Sequence, residues 1–69
     1  MAFELIISDI DAGGGDNIDL YFDAENMRVK EEKNFVDGST TTNEYHFEDF
    51  EEDVYGEHGQ EFLDKIGME

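Results

Sequence analysis

The sequence predicts an α+β fold, in which an antiparallel sheet of three to four strands packs against a C-terminal acidic helix or helix pair. Apolar and polar residues alternate through the first half of the chain, as in strands with one buried face. Runs of turn-forming residues separate the alternating segments. From Phe47 onward the apolar spacing lengthens to that of a helix. The 69 residues are expected to form one domain over 1–69, with the sheet over about 2–47 and the helical region over about 47–66.

The first predicted strand covers residues 2–8. Apolar side chains at alternate positions predict one buried face made by Phe3, Leu5 and Ile7. A run of turn residues over 11–17, with three consecutive glycines, then predicts a loop.

The next two strands are predicted to form a hairpin within residues 18–30. A chain reversal over 24–25 or over 23–26 gives the same register. That register pairs apolar residues on the inner face, and aromatic or acidic residues with basic ones on the outer face: Phe22 with Met27, Leu20 with Val29, Tyr21 with Arg28, and Asp19 with Lys30. Asp37 and Gly38 then predict a turn, and the threonines of 40–42 predict a fourth strand running to Tyr45 or Phe47.

The last third is predicted to be helical. On one continuous helix a single apolar face contains Phe47, Phe50, Val54, His58 and Phe62, with Tyr55 and Ile66 at its margin. Asp49, Asp53, Glu57 and Asp64 then form an acidic row on the opposite side. Glycine costs about 1 kcal/mol relative to alanine in a helix interior, so Gly56 and Gly59 can divide this stretch into two helices. Gly67 is the expected C-terminal end.

The charge balance limits the classes of partner. Twenty acidic residues against four basic ones give a net charge of −16. This charge disfavours direct binding to nucleic acid or to an anionic membrane, and it favours a basic protein surface or a metal cation. The chain has no cysteine, and its first residues lack a basic region and reach Asp9 within a few apolar positions, so neither a signal peptide nor a membrane span is expected. A cytosolic location is therefore expected.

The acidic residues concentrate in two regions. In the predicted hairpin, the basic residues face acidic and aromatic residues of the same hairpin. The negative charges of the loop after the first strand and of the helical region are therefore not neutralised. These two regions supply the predicted partner-binding residues: Asp9, Asp11, Asp16, Glu48, Asp49, Glu52, Asp53, Glu57, Glu61 and Asp64. Carboxylates one turn apart on a helix are separated by about 6 Å along its axis. Their linear charge density is comparable with that of a DNA strand. A solvated face that aids solubility and halophilic adaptation are the alternative interpretations.

Other chemistries receive weaker support from the sequence. The spacing of Asp9, Asp11 and Asp16 is similar to the start of a calcium loop, but Leu20 stands where a bidentate glutamate is needed. His46 and His58 are the only histidines, and a metal site at His58 needs partners such as Glu61 or Asp64, so one histidine with scattered acids is a weak signal. No nucleophile stands in a catalytic setting, so neither catalysis nor a cofactor is expected.

In character the chain resembles the small acidic DNA-mimic inhibitors carried by phages, which include anti-CRISPR and anti-restriction proteins. The resemblance rests on size, net charge, the absence of cysteine and acid runs such as residues 48–53, and it contains no sequence motif. It implies a non-enzymatic inhibitor of antiviral defence that occupies a basic DNA-binding or PAM-reading surface of a CRISPR effector complex or another nucleic-acid-binding protein. A non-mimic interaction module, antitoxin-like or an assembly protein, and a calcium-binding module remain open.

Overall fold

The computed structural model describes residues 2–67, which form a four-stranded antiparallel sheet followed by helical elements. The strands are β1 (Glu4–Gly13), β2 (Asp16–Asp23), β3 (Arg28–Asn34) and β4 (Thr40–His46), adjacent in chain order. Two 3-10 turns, η1 (Phe47–Asp49) and η2 (Glu52–Tyr55), precede the helix α1 (Glu57–Ile66). This arrangement confirms the predicted α+β fold class. In the described part of the chain, no helix is long and apolar enough to cross a membrane.

Strand β1 is longer and less regular than predicted. It continues to Gly13, so the expected loop over 11–17 is a tight hairpin turn through Gly14 and Gly15, both at positive φ. Register shifts interrupt its pairing with β2, and one of them places an extra residue between Leu5 and Ile7. An extra residue reverses the face on which later side chains lie.

The predicted buried face of β1 is therefore wrong at two positions. Leu5 lies opposite Tyr21 on the outer face and is 50% exposed, whereas Ile7 and Ile10 are buried. Phe3 also lies on the outer side, where its ring contacts the Lys30 ammonium.

The central hairpin forms, but its register differs from the predicted one by two residues. Both apolar and polar faces are preserved, because a shift of two keeps every side chain on its side of the sheet. The cross-strand partners change: Phe22 lies opposite Val29, Leu20 opposite Glu31, Tyr21 opposite Lys30, and Asp19 opposite Glu32.

A buried aspartate explains the register. Asp23 is only 1% exposed, and its Oδ1 accepts backbone N–H groups from Glu25 and Asn26 at 3.0 and 3.3 Å. Its Oδ2 accepts the Asn26 side-chain amide at 3.0 Å. These bonds, led by the one from the Asn26 side chain, lower the pKa of Asp23. They hold a reversal over residues 24–27, with Met27 at positive φ, and so place Arg28 opposite Asp23.

The core lies between the inner sheet face and the helical elements. The fully buried ring of Phe62 meets Phe22 edge-on at 6.1 Å and stacks on Phe50 at 4.8 Å. Phe50 also stacks on Phe47 at 6.0 Å and on Tyr55 at 5.7 Å. Aromatic contacts of this kind add to the hydrophobic stabilisation from burial.

The C-terminal region is not one continuous helix. The chain is extended at Phe50 and Glu51, and it turns again at Gly56, whose φ of 61° and ψ of −134° are incompatible with a helix. The predicted apolar face is consequently wrong at Val54, which is 66% exposed, while Tyr55 is buried. The end of α1 at Gly67 is confirmed: this residue is in the left-handed conformation, and its N–H bonds the Leu63 and Asp64 carbonyls.

Candidate functional site

The most acidic surface of the protein lies on the segment that connects the sheet to α1. Residues 48–57, here called the acidic segment, contain six carboxylates and no lysine or arginine. All except Glu52 are exposed: Glu48, Asp49, Glu51, Asp53 and Glu57. The predicted single row of Asp49, Asp53, Glu57 and Asp64 does not form, because these residues are divided among η1, η2 and α1. The exposed carboxylates are instead distributed over the two 3-10 turns and the start of α1.

Two aromatic residues fix the acidic segment to the core. Phe50 and Tyr55 pack into the aromatic cluster, so the chain between and around them is held against the protein. The intervening acidic side chains are left at the surface. Short 3-10 turns, anchored by the partly buried Phe50 and the buried Tyr55, thus give this segment a defined conformation despite its charge.

Few cations lie near these carboxylates. The nearest histidine, exposed His46, accepts the Glu48 backbone N–H on its Nδ1 atom at 3.1 Å. Within residues 2–67, no lysine or arginine lies within ion-pair distance of the acidic segment. The acids of α1 differ: Glu61 contacts His58 at 3.2 Å and Lys65 at 3.5 Å, and Asp64 accepts a hydrogen bond from Gln60 at 3.1 Å. Glu61 and Asp64 are therefore less suited to a basic partner than the acidic segment.

In the other predicted acidic region, around the β1–β2 turn, carboxylates accept hydrogen bonds that stabilise the turns. Asp11 accepts the Gly13 N–H at 2.8 Å, and Asp16 accepts the Val36 N–H at 2.9 Å, which ties the β1–β2 turn to the β3–β4 turn. Asp9 stands exposed at a positive-φ irregularity of β1, where its N–H bonds Asp19. Over the part of the chain that the structure describes, no group of three acidic or histidine side chains is gathered as metal ligands.

Of the four basic residues, Arg28, Lys30 and Lys33 lie on β3 and Lys65 lies on α1. The Lys30 ammonium lies 4.4 Å from the centre of the Tyr21 ring, so the predicted aromatic–cation pair of Tyr21 forms with Lys30 and not with Arg28. The predicted ion pair between Asp19 and Lys30 is absent, because Asp19 faces Glu32 and accepts a hydrogen bond from Asn34 at 3.2 Å.

Tyr55 of the acidic segment contacts Tyr45 and Glu31 of the sheet. The Tyr55 hydroxyl donates to Glu31 Oε2 at 2.8 Å. Burial, followed by hydrogen bonds with Tyr45 and Glu31, raises the pKa of Tyr55 far above its ordinary value. Burial also raises the pKa of Tyr45, and the negative charges of Glu31, Glu51 and Asp49 add to this effect. Both phenols therefore remain neutral at physiological pH.

A pocket of about 270 Å³ opens beside these tyrosines. It is lined by Asn43 and Tyr45 of β4 and by Asp49, Glu51 and Val54 of the segment that follows. Of these five residues, only Asp49 is among the partner-binding residues that the sequence predicts. The sequence signal that was available is the alternation of Asn43 and Tyr45 along a strand, which places both on the same face.

No protein-family model, curated protein or solved structure matches this chain. The surface itself is therefore the basis for a functional proposal.

Proposed function

We propose that this protein is a non-enzymatic inhibitor that presents carboxylates in place of nucleic-acid phosphates. Its target is a basic DNA-binding or PAM-reading surface of a bacterial defence complex, with a CRISPR effector favoured over a restriction enzyme, and it acts in the host cytoplasm. The observation that carries the proposal is the acidic segment, in which five exposed carboxylates have no lysine or arginine within ion-pair distance.

The chemistry of arginine and lysine supports this target. Side chains that bind phosphate oxygens also bind carboxylates, with arginine forming two parallel hydrogen bonds to either group. A net charge of −16 accelerates association with a positively charged channel and opposes association with nucleic acid itself. The conformation of the acidic segment is already fixed by Phe50 and Tyr55, so little ordering cost is incurred on binding.

A displacement titration tests the proposal. The protein is added to a CRISPR effector complex that already holds fluorescent target DNA, and loss of bound DNA is followed by anisotropy. We expect displacement by the wild-type protein and displacement weakened by about tenfold or more for Asp53→Lys/Glu57→Lys. The control Glu4→Lys/Glu25→Lys makes the same change in net charge outside the acidic segment and is expected to displace DNA nearly as well as wild type.

Two results would contradict this function. If no excess of wild-type protein displaces DNA from any of several effector complexes and restriction enzymes, the mimic proposal is wrong. If both double variants lose activity equally while circular dichroism shows them folded, total charge rather than the acidic segment governs binding. Capture of a basic partner with no nucleic-acid function would instead support the non-mimic interaction module.

A further inference from the structure

The two edges of the sheet differ in regularity. At one edge, β1 is interrupted by register shifts and by the positive-φ residue Asp9. Such irregularities prevent a further strand from pairing. At the other edge, β4 pairs with β3 over seven consecutive residues without a shift. The outer side of β4 is thus a regular strand edge.

The backbone groups that β4 leaves unpaired can be identified. The Phe35 N–H bonds the Ser39 carbonyl at one end of the β3–β4 ladder, and the Phe47 N–H bonds the Met27 carbonyl at the other. Hydrogen-bonded and non-hydrogen-bonded pairs alternate in an antiparallel ladder. Between these ends the residues bonded to β3 are therefore Thr41, Asn43 and Tyr45. The N–H and C=O groups of Thr40, Thr42 and Glu44 point away from the sheet.

The pocket lies directly beside this open edge. Its walls include Asn43 and Tyr45, whose side chains lie on the inner face of β4. A strand added to β4 runs about 4.8 Å away and directs alternate side chains to the same face. On that face the pocket presents the Asp49 and Glu51 carboxylates and the exposed Val54. Carboxylates suit a cationic head group, and an apolar wall suits its aliphatic stem.

We propose that β4 receives an extended basic segment of the partner as a fifth strand, with one of its lysine or arginine side chains in the pocket beside Asp49 and Glu51. Charge supports this occupant: residues 40–55 contain six acidic residues and no lysine or arginine. A second copy of the chain is disfavoured, because each copy brings a net charge of −16 to the same edge. The inference rests on the proposed function in requiring a basic protein partner.

A peptide experiment tests the open edge separately from any natural partner. The probe is a short synthetic peptide of alternating arginine and threonine with acetyl and amide ends, titrated into isotope-labelled protein and followed by NMR. We expect the amide signals of Thr42 and Glu44 to shift and to gain protection from hydrogen exchange. A peptide of alternating arginine and proline has the same charge but lacks half the backbone donors, and it is expected to bind more weakly.

Substitutions in β4 and in the pocket complete the test. Thr42→Pro removes an outward N–H for which residues 2–67 show no hydrogen-bond partner, whereas Thr42→Val keeps it. Peptide affinity is expected to fall about tenfold or more for the first variant and to be retained in the second. Glu51→Gln is expected to weaken binding severalfold, whereas Glu4→Gln, with the same charge change at the opposite edge, is not. If Thr42→Pro fails to fold, the difference in peptide affinity between Glu51→Gln and Glu4→Gln still tests the proposal.

Four results would overturn the inference, three of them with the peptide or the protein alone and one with DNA. The peptide could bind folded Thr42→Pro as tightly as wild type, it could bind Glu51→Gln as tightly as Glu4→Gln, or the protein alone could form a dimer that Thr42→Pro abolishes. If Thr42→Pro displaces DNA as wild type does while Asp53→Lys/Glu57→Lys does not, the fifth strand is wrong and the mimic stands. If the peptide result holds but wild type never displaces DNA, the mimic is wrong and the open edge stands.

Discussion

At the scale of single residues, Tyr55 connects the acidic segment to the sheet. Its ring stacks on Phe50, and its hydroxyl donates to Glu31 at 2.8 Å. The neighbouring Val54 is exposed, so two adjacent residues have opposite environments. A helical wheel drawn through Phe50 and Val54 places Tyr55 at the margin of the apolar face. The break at Gly56 and the short η2 turn, neither of which a periodic pattern specifies, bring Tyr55 inward.

Tyr55→Phe tests this connection. The change leaves the Glu31 carboxylate without its phenol donor, so we expect a loss of about 1–3 kcal/mol in the free energy of unfolding at neutral pH. The folded-state pKa of Tyr55 is raised above its ordinary value of 10.0. Its contribution is therefore complete below pH 10.0 and is lost as pH rises further, because only the unfolded chain then ionises.

Urea unfolding from neutral to alkaline pH measures both effects. The wild type is expected to lose stability more steeply than Tyr55→Phe above the ordinary tyrosine pKa. Tyr21→Phe serves as the comparison: Tyr21 lies on the outer sheet face beside Lys30, and burial followed by the charge of Glu32 raises its pKa as well, so the two variants separate the bond to Glu31 from phenol ionisation in general. Equal stability and equal alkaline slopes for wild type and Tyr55→Phe would show that the hydroxyl does not stabilise the fold.

At the scale of elements, close contact between α1 and η2 fixes the shape of the acidic segment. Gly59 is buried, and a Cβ atom there would clash with the Glu52 carbonyl and lie 2.7 Å from the Glu52 Cα. Glycine at this helix position is thus a packing requirement. The sequence identified Gly59 as unfavourable within a helix, but the contact that explains it depends on the turn at Gly56.

Gly59→Ala is expected to destabilise the protein even though alanine favours a helix. Overpacking of this kind costs about 1–3 kcal/mol, which exceeds the gain of about 1 kcal/mol in helix propensity. The control Gln60→Ala changes the next, exposed residue and is expected to stay within about 0.5 kcal/mol of wild type. Thermal unfolding compares the two variants. A Gly59→Ala protein as stable as Gln60→Ala would mean that η2 moves aside at little cost.

The strands show what a pattern can and cannot specify. Alternation correctly predicted that Leu20, Phe22 and Val29 face inward, because a period of two is preserved by any even shift in register. It could not choose between registers two residues apart, since that choice depends on hydrogen bonds to Asp23 within the turn. The bulge that exposes Leu5 was likewise invisible, because a bulge is a property of strand pairing and not of one strand.

The candidate site could also be predicted only in part. Composition located the acidic concentration, and the structure leaves Asp49, Asp53 and Glu57 exposed as expected. The pocket beside Tyr45 and Glu51 could not be predicted, because it requires β4 and the acidic segment to come together. A linear pattern contains no information on that contact.

At the scale of the whole molecule, charge and compactness oppose each other. A chain with a net charge of −16 is confined within a radius of gyration of 11.7 Å, which is comparable with the Debye length of about 10 Å at 0.1 M salt. Most pairs of carboxylates therefore repel one another at low ionic strength. The repulsion is larger in the folded state than in the expanded unfolded chain, so screening stabilises the fold.

Sodium chloride is consequently expected to raise the melting temperature. A gain of about 1 kcal/mol corresponds to a rise of about 4–8 °C for a domain of this size. The same screening is expected to weaken binding to a basic partner, so stability and affinity should respond to salt in opposite directions. Potassium chloride at equal ionic strength is the control for screening, and calcium compared with magnesium chloride tests for a specific cation site. A melting temperature that does not change with salt would show that repulsion contributes little, and an increase with calcium alone would support the calcium-binding module, because only a ligand of the folded state acts that selectively.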